Sequence, residues 1–367
     1  MILIVIGTRA ELIKTFPVML ELDRKKIPYT FVHTGQHSLG DLCDKFSVKK
    51  PDVILTKEPK ASTKFYTKVP RAIFWNGWVI FKLWKLLLRT KNLDYVLYHG
   101  DTMTTAAIAI ASSRLLNPFK KYKNVHLEAG LRSGKLMEPF PEEISRKIAD
   151  RFSDILLAVS ERSRKNLEKE RHGGKIITVG NTVVDSIDIA CKLAVKAKIK
   201  PLSQGKFALI SVHRHENIKN KDRLSKIVEI LCSLKIPSYF TLHDNTKKQL
   251  IDFGLYDRLV KNKFVKLIDP LDYINFSYQM KHCEILVVDG GSIQEESLVF
   301  KKPCVLLREF TERQEGLTTG LNFLTKLDVE KSKTLIDEII TKGIKVKKFK
   351  NPYGGSGVSK EIVKWLK

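Results

Sequence analysis

The feature that most constrains this chain is a recurrence of short apolar runs rich in Val, Ile and Leu, separated by longer stretches with helical spacing. In the first half they read "ILIVI", "YTFVH", "DYVLYHG", "VHLEAG", "ILLAVS" and "IITVGN". After "KAKIKPLSQGK" the pattern restarts with "FALISVH", "SYFTLHD", "FVKLIDP", "EILVVDGG" and "PCVLLRE". A strand covered on both faces needs apolar side chains on both, so such runs between helices predict parallel strands with crossover helices. The 367 residues also exceed what one core usually fills. Two doubly wound α/β domains follow, 1–185 and 186–345. A C-terminal segment, 346–367, places Val358, Ile362 and Leu366 at helical spacing and is a candidate to pack back on the first domain.

Ligands of doubly wound sheets sit beyond the carboxyl ends of the strands, and with two domains the cleft between them is the expected site. Polar residues gather at those ends: Asp101 after "VLYHG", Glu128 after "VHL", His213 after "ALISV", His243 after "YFTL" and Asp289 after "EILVV". Any one of them suits an ordinary turn or cap, but five together suggest converging ionisable groups. "GTRAELIK" sets Gly7, Arg9 and Lys14 at a strand-to-helix turn, a reasonable start for phosphate binding that matches neither a dinucleotide fingerprint nor a Walker loop. In "DGGSIQEE", Gly290 and Gly291 permit a tight turn, Ser292 is a candidate helix cap, and Gln294, Glu295 and Glu296 lie in the first helical turns, where a Glu serves the helix dipole or offers a carboxylate to ribose hydroxyls.

Several classes are disfavoured. The alternating "HGD", "HLE" and "HRH" lack a His-Glu-x-x-His partner, and the surplus of 65 Lys and Arg over 40 Asp and Glu disfavours a bound cation, so no metal is expected. Five scattered cysteines support no disulfide framework. The N-terminal apolar run is too short for a signal segment, and Lys82, Lys85 and Arg89 interrupt the best candidate span, so a cytoplasmic location is expected. A formal charge of +25 attracts phosphorylated substrates, nucleic acid or an anionic membrane.

Eleven ordered blocks then carry a resemblance: "GTRAELIK", "HTGQH", "HGDTMTT", "HLEAGLRSG", "PEEISR", "VGNTVVD", "VHRHEN", "IDPLDY", "DGGSIQEE", "TERQEG" and "NPYGGSG". In order and spacing the chain resembles the non-hydrolysing UDP-N-acetylglucosamine 2-epimerases over nearly its whole length. The resemblance implies two Rossmann-like domains in the GT-B arrangement, a UDP-sugar substrate, no cofactor and no metal, a homodimer, no nucleic acid, and a role in surface polysaccharide or glycan biosynthesis. By position it implies that Asp101, Glu128 and Glu142 take part in proton transfer with an essential His213. It also implies that Arg9, Lys14, Arg132, Arg146 and Arg313 are basic cleft residues and that Glu296 grips the ribose; His243, Gly290, Gly291 and Ser292 complete the substrate set. Ala10, His215 and "DGGS" depart from the family pattern, the last putting Gly290 where a serine hydroxyl normally meets the phosphates. A GT-B glycosyltransferase, or an epimerase of a related UDP-sugar or lipid-linked sugar diphosphate, is the alternative.

One stretch is not absorbed by that chemistry. Laid on a helix, Arg71, Trp75, Trp78, Lys82, Lys85 and Arg89 fall within about 40° of one line, with Ile73, Ile80, Leu83 and Leu87 opposite. The apolar side reads as core. The outward side reads as a dimer interface or as a peripheral contact with an anionic membrane at its inner face.

Overall fold

A computed structural model describes residues 1–36, 38–57, 65–134, 141–170, 173–344 and 349–366, with 65–70 as helix backbone alone. The expected boundary at 345/346 lies outside the described residues. Two compact units result, Met1–Ser186 with Pro352–Lys367, and Ile187–Asn351.

The first unit alternates strands and helices: β1 (Ile2–Ile6), α1 (Arg9–Arg24), β2 (Tyr29–His33), α2 (Gly40–Phe46), β3 (Val53–Ile54), α3 (Phe65–Arg89), β4 (Tyr95–His99), α4 (Met103–Ser112), β5 (Lys123–Ala129), α5 (Glu142–Arg151), β6 (Ile155–Ala158), α6 (Glu161–Lys169) and β7 (Lys175–Thr178). Then α7 (Val183–Lys196) leads into the second unit. The seven strands form one parallel sheet in the order β3-β2-β1-β4-β5-β6-β7. The second unit holds β8 (Ala208–Ser211), α8 (His215–Ile218), α9 (Lys221–Cys232), β9 (Ser238–Thr241), α10 (Asp244–Asp252), α11 (Tyr256–Val260), β10 (Val265–Ile268), α12 (Tyr273–His282), β11 (Ile285–Val288), α13 (Ile293–Val299), β12 (Cys304–Leu306), β13 (Asn322–Leu324) and α14 (Val329–Lys342). Its six strands are also parallel, ordered β10-β9-β8-β11-β12-β13. The terminal α15 (Val358–Trp365) belongs to the first unit, packs on α1 and buries Val358, Ile362 and Leu366.

Period-two alternation explains why the strands read as unbroken apolar runs. On β11, Ile285 and Val287 join the core on one face of the sheet while Leu286 and Val288 join the core on the other. Each sheet reverses strand order once, between β1 and β4 in the first unit and between β8 and β11 in the second. Those reversals open the crevices where doubly wound sheets bind ligands. His99–Asp101, at the end of β4, therefore lie next to the end of β1, and Asp289 after β11 accepts from the amide of His213 after β8, each within its own unit.

Helix α3 corrects one expectation. Val79, Leu83 and Leu87 are buried, but Ile73, expected in the core, is 62% exposed. Trp75, expected outward, is half-buried, with its indole N–H enclosed and without a partner among the described residues. The helix turns further than the cation line suggested, and the outward face carries Phe74, Trp78, Phe81 and Leu88. Among the described residues no helix is long and apolar enough to cross a membrane.

Candidate active site

In the first unit the Thr8 side chain caps α1 by accepting from the Glu11 amide, while Glu11 Oε2 accepts from the Gly7 amide at 2.7 Å, a reciprocal capping box. The box fixes the turn after β1 and aims Lys14, two turns on, at Glu128. Lys14 Nζ donates to Glu128 Oε1, and Asn181 Nδ2 donates to the same oxygen at 3.0 Å. Glu128 adopts a left-handed backbone at φ 68°, where β5 shifts register against β6. Such a conformation is costly for a residue with a side chain and is typical of functional positions. His99 Nδ1 lies 3.9 Å from Glu128 Oε2. Burial, assisted by the charges of Lys14 and His126 and opposed by Glu128, pushes His99 down to about 3, so its ring is neutral.

Asp101 follows β4 with its carboxylate partly exposed and accepts at Oδ2 from Arg146 Nη2. Arg146, fully buried on α5, also donates to Glu143 Oε2 at 2.5 Å, and that oxygen accepts from the Ser133 amide at 3.2 Å. Glu142 opens α5 and is half-buried. Glu143, passed over in the sequence reading, is thus the carboxylate that anchors Arg146.

Two cations of the expected set are engaged elsewhere in this unit. Arg9 makes a bidentate, exposed pair with Asp41, both bonds 2.7 Å, and donates to the Ser38 carbonyl. Arg132 Nη2 donates to Asp150 at 2.7 Å, and its Nε donates to Glu170 at 2.8 Å.

In the second unit Asp289 is fully buried and accepts from the amides of His213 and Arg214 and from Asn217 Nδ2, at 2.9–3.2 Å. It pins the turn after β8, which leaves the His213 ring 42% exposed and 5.1 Å from that of His243. Burial and the nearby His213 lower the His243 pKa. Ser292 stands at the N-cap of α13, but its hydroxyl makes no capping bond, contrary to the expected cap. A Cβ on Gly290 would lie 2.9 Å from Ile293 Cδ1 and 3.6 Å from His213 Cε1, and one on Gly291 would lie 2.9 Å from Arg313 Nη1. The flexible end of Ile293 can give way more cheaply than a buried guanidinium. Glu296 is buried and accepts from the Tyr273 hydroxyl at 3.0 Å.

Behind that turn lies a buried charge cluster. Arg313 pairs with Glu312 and, at 3.2 Å, with Glu295; Arg308 pairs with Glu312 at 3.1 Å, and Arg214 Nη2 lies 3.8 Å from Glu312. Two of these guanidiniums come close to the glycine turn, Arg313 Nη1 at 2.9 Å and Arg214 Nη2 at 3.2 Å from where a Cβ on Gly291 would lie, donors that suit a diphosphate. Sequence reasoning found Arg313 and passed over Arg214 and Arg308; Arg308 directly follows the apolar "CVLL", the same strand-end signal that marked the others. Among the described residues no cluster of three His, Cys, Asp or Glu side chains could hold a metal ion.

Known proteins resemble this chain over nearly its whole length. The family model described as UDP-N-acetylglucosamine 2-epimerase matches residues 20–367. A UDP-N-acetylglucosamine 2-epimerase of Methanocaldococcus jannaschii is 33% identical over 377 residues, covering 99% of this chain and 98% of that protein. The UDP-2,3-diacetamido-2,3-dideoxy-D-glucuronate 2-epimerase of Pseudomonas aeruginosa is 31% identical, covering 100% and 99%. The solved structure of the M. jannaschii enzyme in complex with UDP-GlcNAc and UDP matches with a TM-score of 0.82 at 32% identity, covering 100% of this chain and 99% of that one.

Proposed function

Because the chain belongs to the UDP-N-acetylglucosamine 2-epimerase family, we propose that it is an isomerase interconverting UDP-N-acetylglucosamine and UDP-N-acetylmannosamine. Inverting C2 without a redox cofactor requires breaking a C–H bond that nothing acidifies strongly, and elimination solves this. A base takes the C2 proton while the C1–O bond to UDP breaks. The C–H electron pair becomes the C1=C2 double bond, and the C1–O pair leaves with the diphosphate. In return a diphosphate oxygen bonds C1 as the double bond takes a proton at C2 from the opposite face.

The observation that carries this reading is the pair of strand-end carboxylates, Asp101 and Glu128, each matched with its own cation, Arg146 and Lys14. Two-face proton traffic needs more than one acid or base, and these groups with Glu142 supply it. The second unit serves the leaving group: His213, Ser292 and Arg313 for the diphosphate and Glu296 for the ribose. Arg9 binds phosphate by exchanging Asp41 for it; Arg132 keeps its bonds to Asp150 and Glu170. His243 completes the nucleotide contacts beside His213. A second reading keeps the reaction and changes the sugar to a diacetamido uronic acid, favoured by the P. aeruginosa relative and by the altered loop at Gly290–Ser292.

Replacing Asp101, Glu128, Glu142 or His213 with Asn or Gln tests the assignment. Each should cost about two or more decades of turnover while most variants still bind UDP, and near-normal turnover in all four would overturn it.

For partners, we assign the outward face of α3 to a second copy of the chain, with an anionic membrane as the competing occupant. The Trp78 and Phe81 rings stack at 5.4 Å, Phe81 and Trp84 lie 6.2 Å apart, and Trp84 Nε1 donates to the Leu116 carbonyl. That bond joins the helix to a loop with Leu115 exposed and Phe119 95% exposed. An apolar strip of this length suits a subunit interface. Lys82, Lys85 and Arg89 beside it, and no Asp or Glu from 65 to 93, are what a lipid surface would use.

A further inference from the structure

His126 has no part in the reading above, yet it is fully buried on β5, with its ring stacked 5.5 Å from that of Tyr98. Each of its ring nitrogens faces an acceptor: Nδ1 lies 2.7 Å from Asp150 Oδ1, and Nε2 lies 2.8 Å from the carbonyl oxygen of Gly100. A neutral imidazole has one donor and one acceptor nitrogen. A bare nitrogen held that close to a carbonyl or carboxylate oxygen would be repelled, so both nitrogens carry hydrogen. The charge has a buried partner in Asp150, which also accepts from Arg132 at 2.7 Å and from the Gly130 amide at 3.4 Å. Burial alone would raise the Asp150 carboxyl, but His126 and Arg132 hold it below its ordinary range.

What His126 grips is the peptide that precedes Asp101. Gly100 is left-handed at φ 83° and has no side chain to fix it. Helix α5 therefore reaches this turn twice, from two residues one helical turn apart. Arg146 holds the Asp101 carboxylate directly, and Asp150 holds the Gly100 carbonyl through His126.

We propose that His126 is a positioning residue, an imidazolium that fixes the Gly100 carbonyl and so, together with Arg146, sets the direction of the Asp101 carboxylate. The inference rests on Asp101 acting in proton transfer. It separates His126 from a polar side chain that merely satisfies core hydrogen bonds, because the bond to Gly100, not the bond to Asp150, governs the reacting group.

Amide variants divide the two bonds. In His126→Asn the amide nitrogen falls near the Nδ1 position and can still donate to Asp150, with nothing left for Gly100. In His126→Gln it reaches the Nε2 position and can donate to Gly100. The expected result is a kcat loss of about tenfold or more in His126→Asn with KM changed less than about threefold, and recovery of most of that loss in His126→Gln. Equal kcat in the wild type and both variants would overturn the proposal, as would equal losses in both variants accompanied by equal losses of thermal stability. Should His126→Asn fail to fold, histidine-15N-labelled wild-type protein gives the second measurement. Two N–H correlations from the His126 ring are expected, and a ring with a single N–H would overturn the proposal. Wild-type protein that turns over no UDP-sugar would sink the epimerase reading instead, and the labelled ring would still decide the state of His126.

Discussion

Lys14 and Glu128 form an ion pair inside the first unit, their side chains only 11% and 3% exposed. A buried pair adds little net stability, but removing one partner strands the other charge away from water. Lys14→Met should therefore cost about 3 kcal/mol in urea unfolding. Lys14→Met with Glu128→Gln should recover at least half of that loss, since no bare carboxylate remains. A double variant no more stable than the single one would show that Glu128 is not the group left uncompensated.

His99 should give the protein a distinct acid limb. Its ordinary value is 6.5 and burial lowers it to about 3 in the folded chain, so below pH 6.5 the unfolded state takes up a proton that the folded state refuses. This group leaves stability unchanged above pH 6.5, erodes it as pH falls from 6.5 to about 3, and adds no further loss below. At pH 4.5 the cost is about 2–3 kcal/mol. The stability gap between His99→Gln and wild type should shift in favour of the variant by that amount between pH 7 and pH 4.5. A parallel pH dependence in the two proteins would contradict it.

Ser292 should supply the hydroxyl that the turn lacks at Gly290. Ser292→Ala is expected to weaken UDP binding about tenfold by titration calorimetry, the usual loss for a hydrogen bond to a charged group. Adding Gly290→Ser should restore much of it, because the new Cβ has only the mobile end of Ile293 to displace. Unchanged affinity in Ser292→Ala would exclude the relocated donor.

The outward face of α3 can be tested by replacing its exposed rings. Trp78→Ser with Phe81→Ser should halve the mass found by sedimentation equilibrium while leaving vesicles of anionic lipid unbound in both forms. Pelleting of the wild type with such vesicles at low salt, lost in the double variant, would transfer the surface to the membrane.

Much of the fold was legible because parallel strands are covered on both faces and betray themselves as Val, Ile and Leu runs. The two-residue β3 and the three-residue β13 were not, since edge strands that short carry no pattern. At the site, residues that follow unbroken apolar runs stood out, as Asp101 and His213 did. The groups behind them did not: Asp150 and Glu143 sit among other charged residues on α5, and only folding turns them inward. The left-handed backbone of Glu128 leaves no trace in "HLEAG", because the strain lies in the register of β5 against β6 and not in residue type. Ile73 misled for the opposite reason, as helical phase alone cannot say where the neighbouring layer ends.

Elimination exchanges the proton at C2 with solvent, and incubation with UDP-N-acetylglucosamine in deuterated water reads that exchange. Without added nicotinamide cofactor or metal, deuterium should appear at C2 of both the recovered substrate and its N-acetylmannosamine epimer. Substrate returned unlabelled, with no epimer formed, would contradict the account for this sugar.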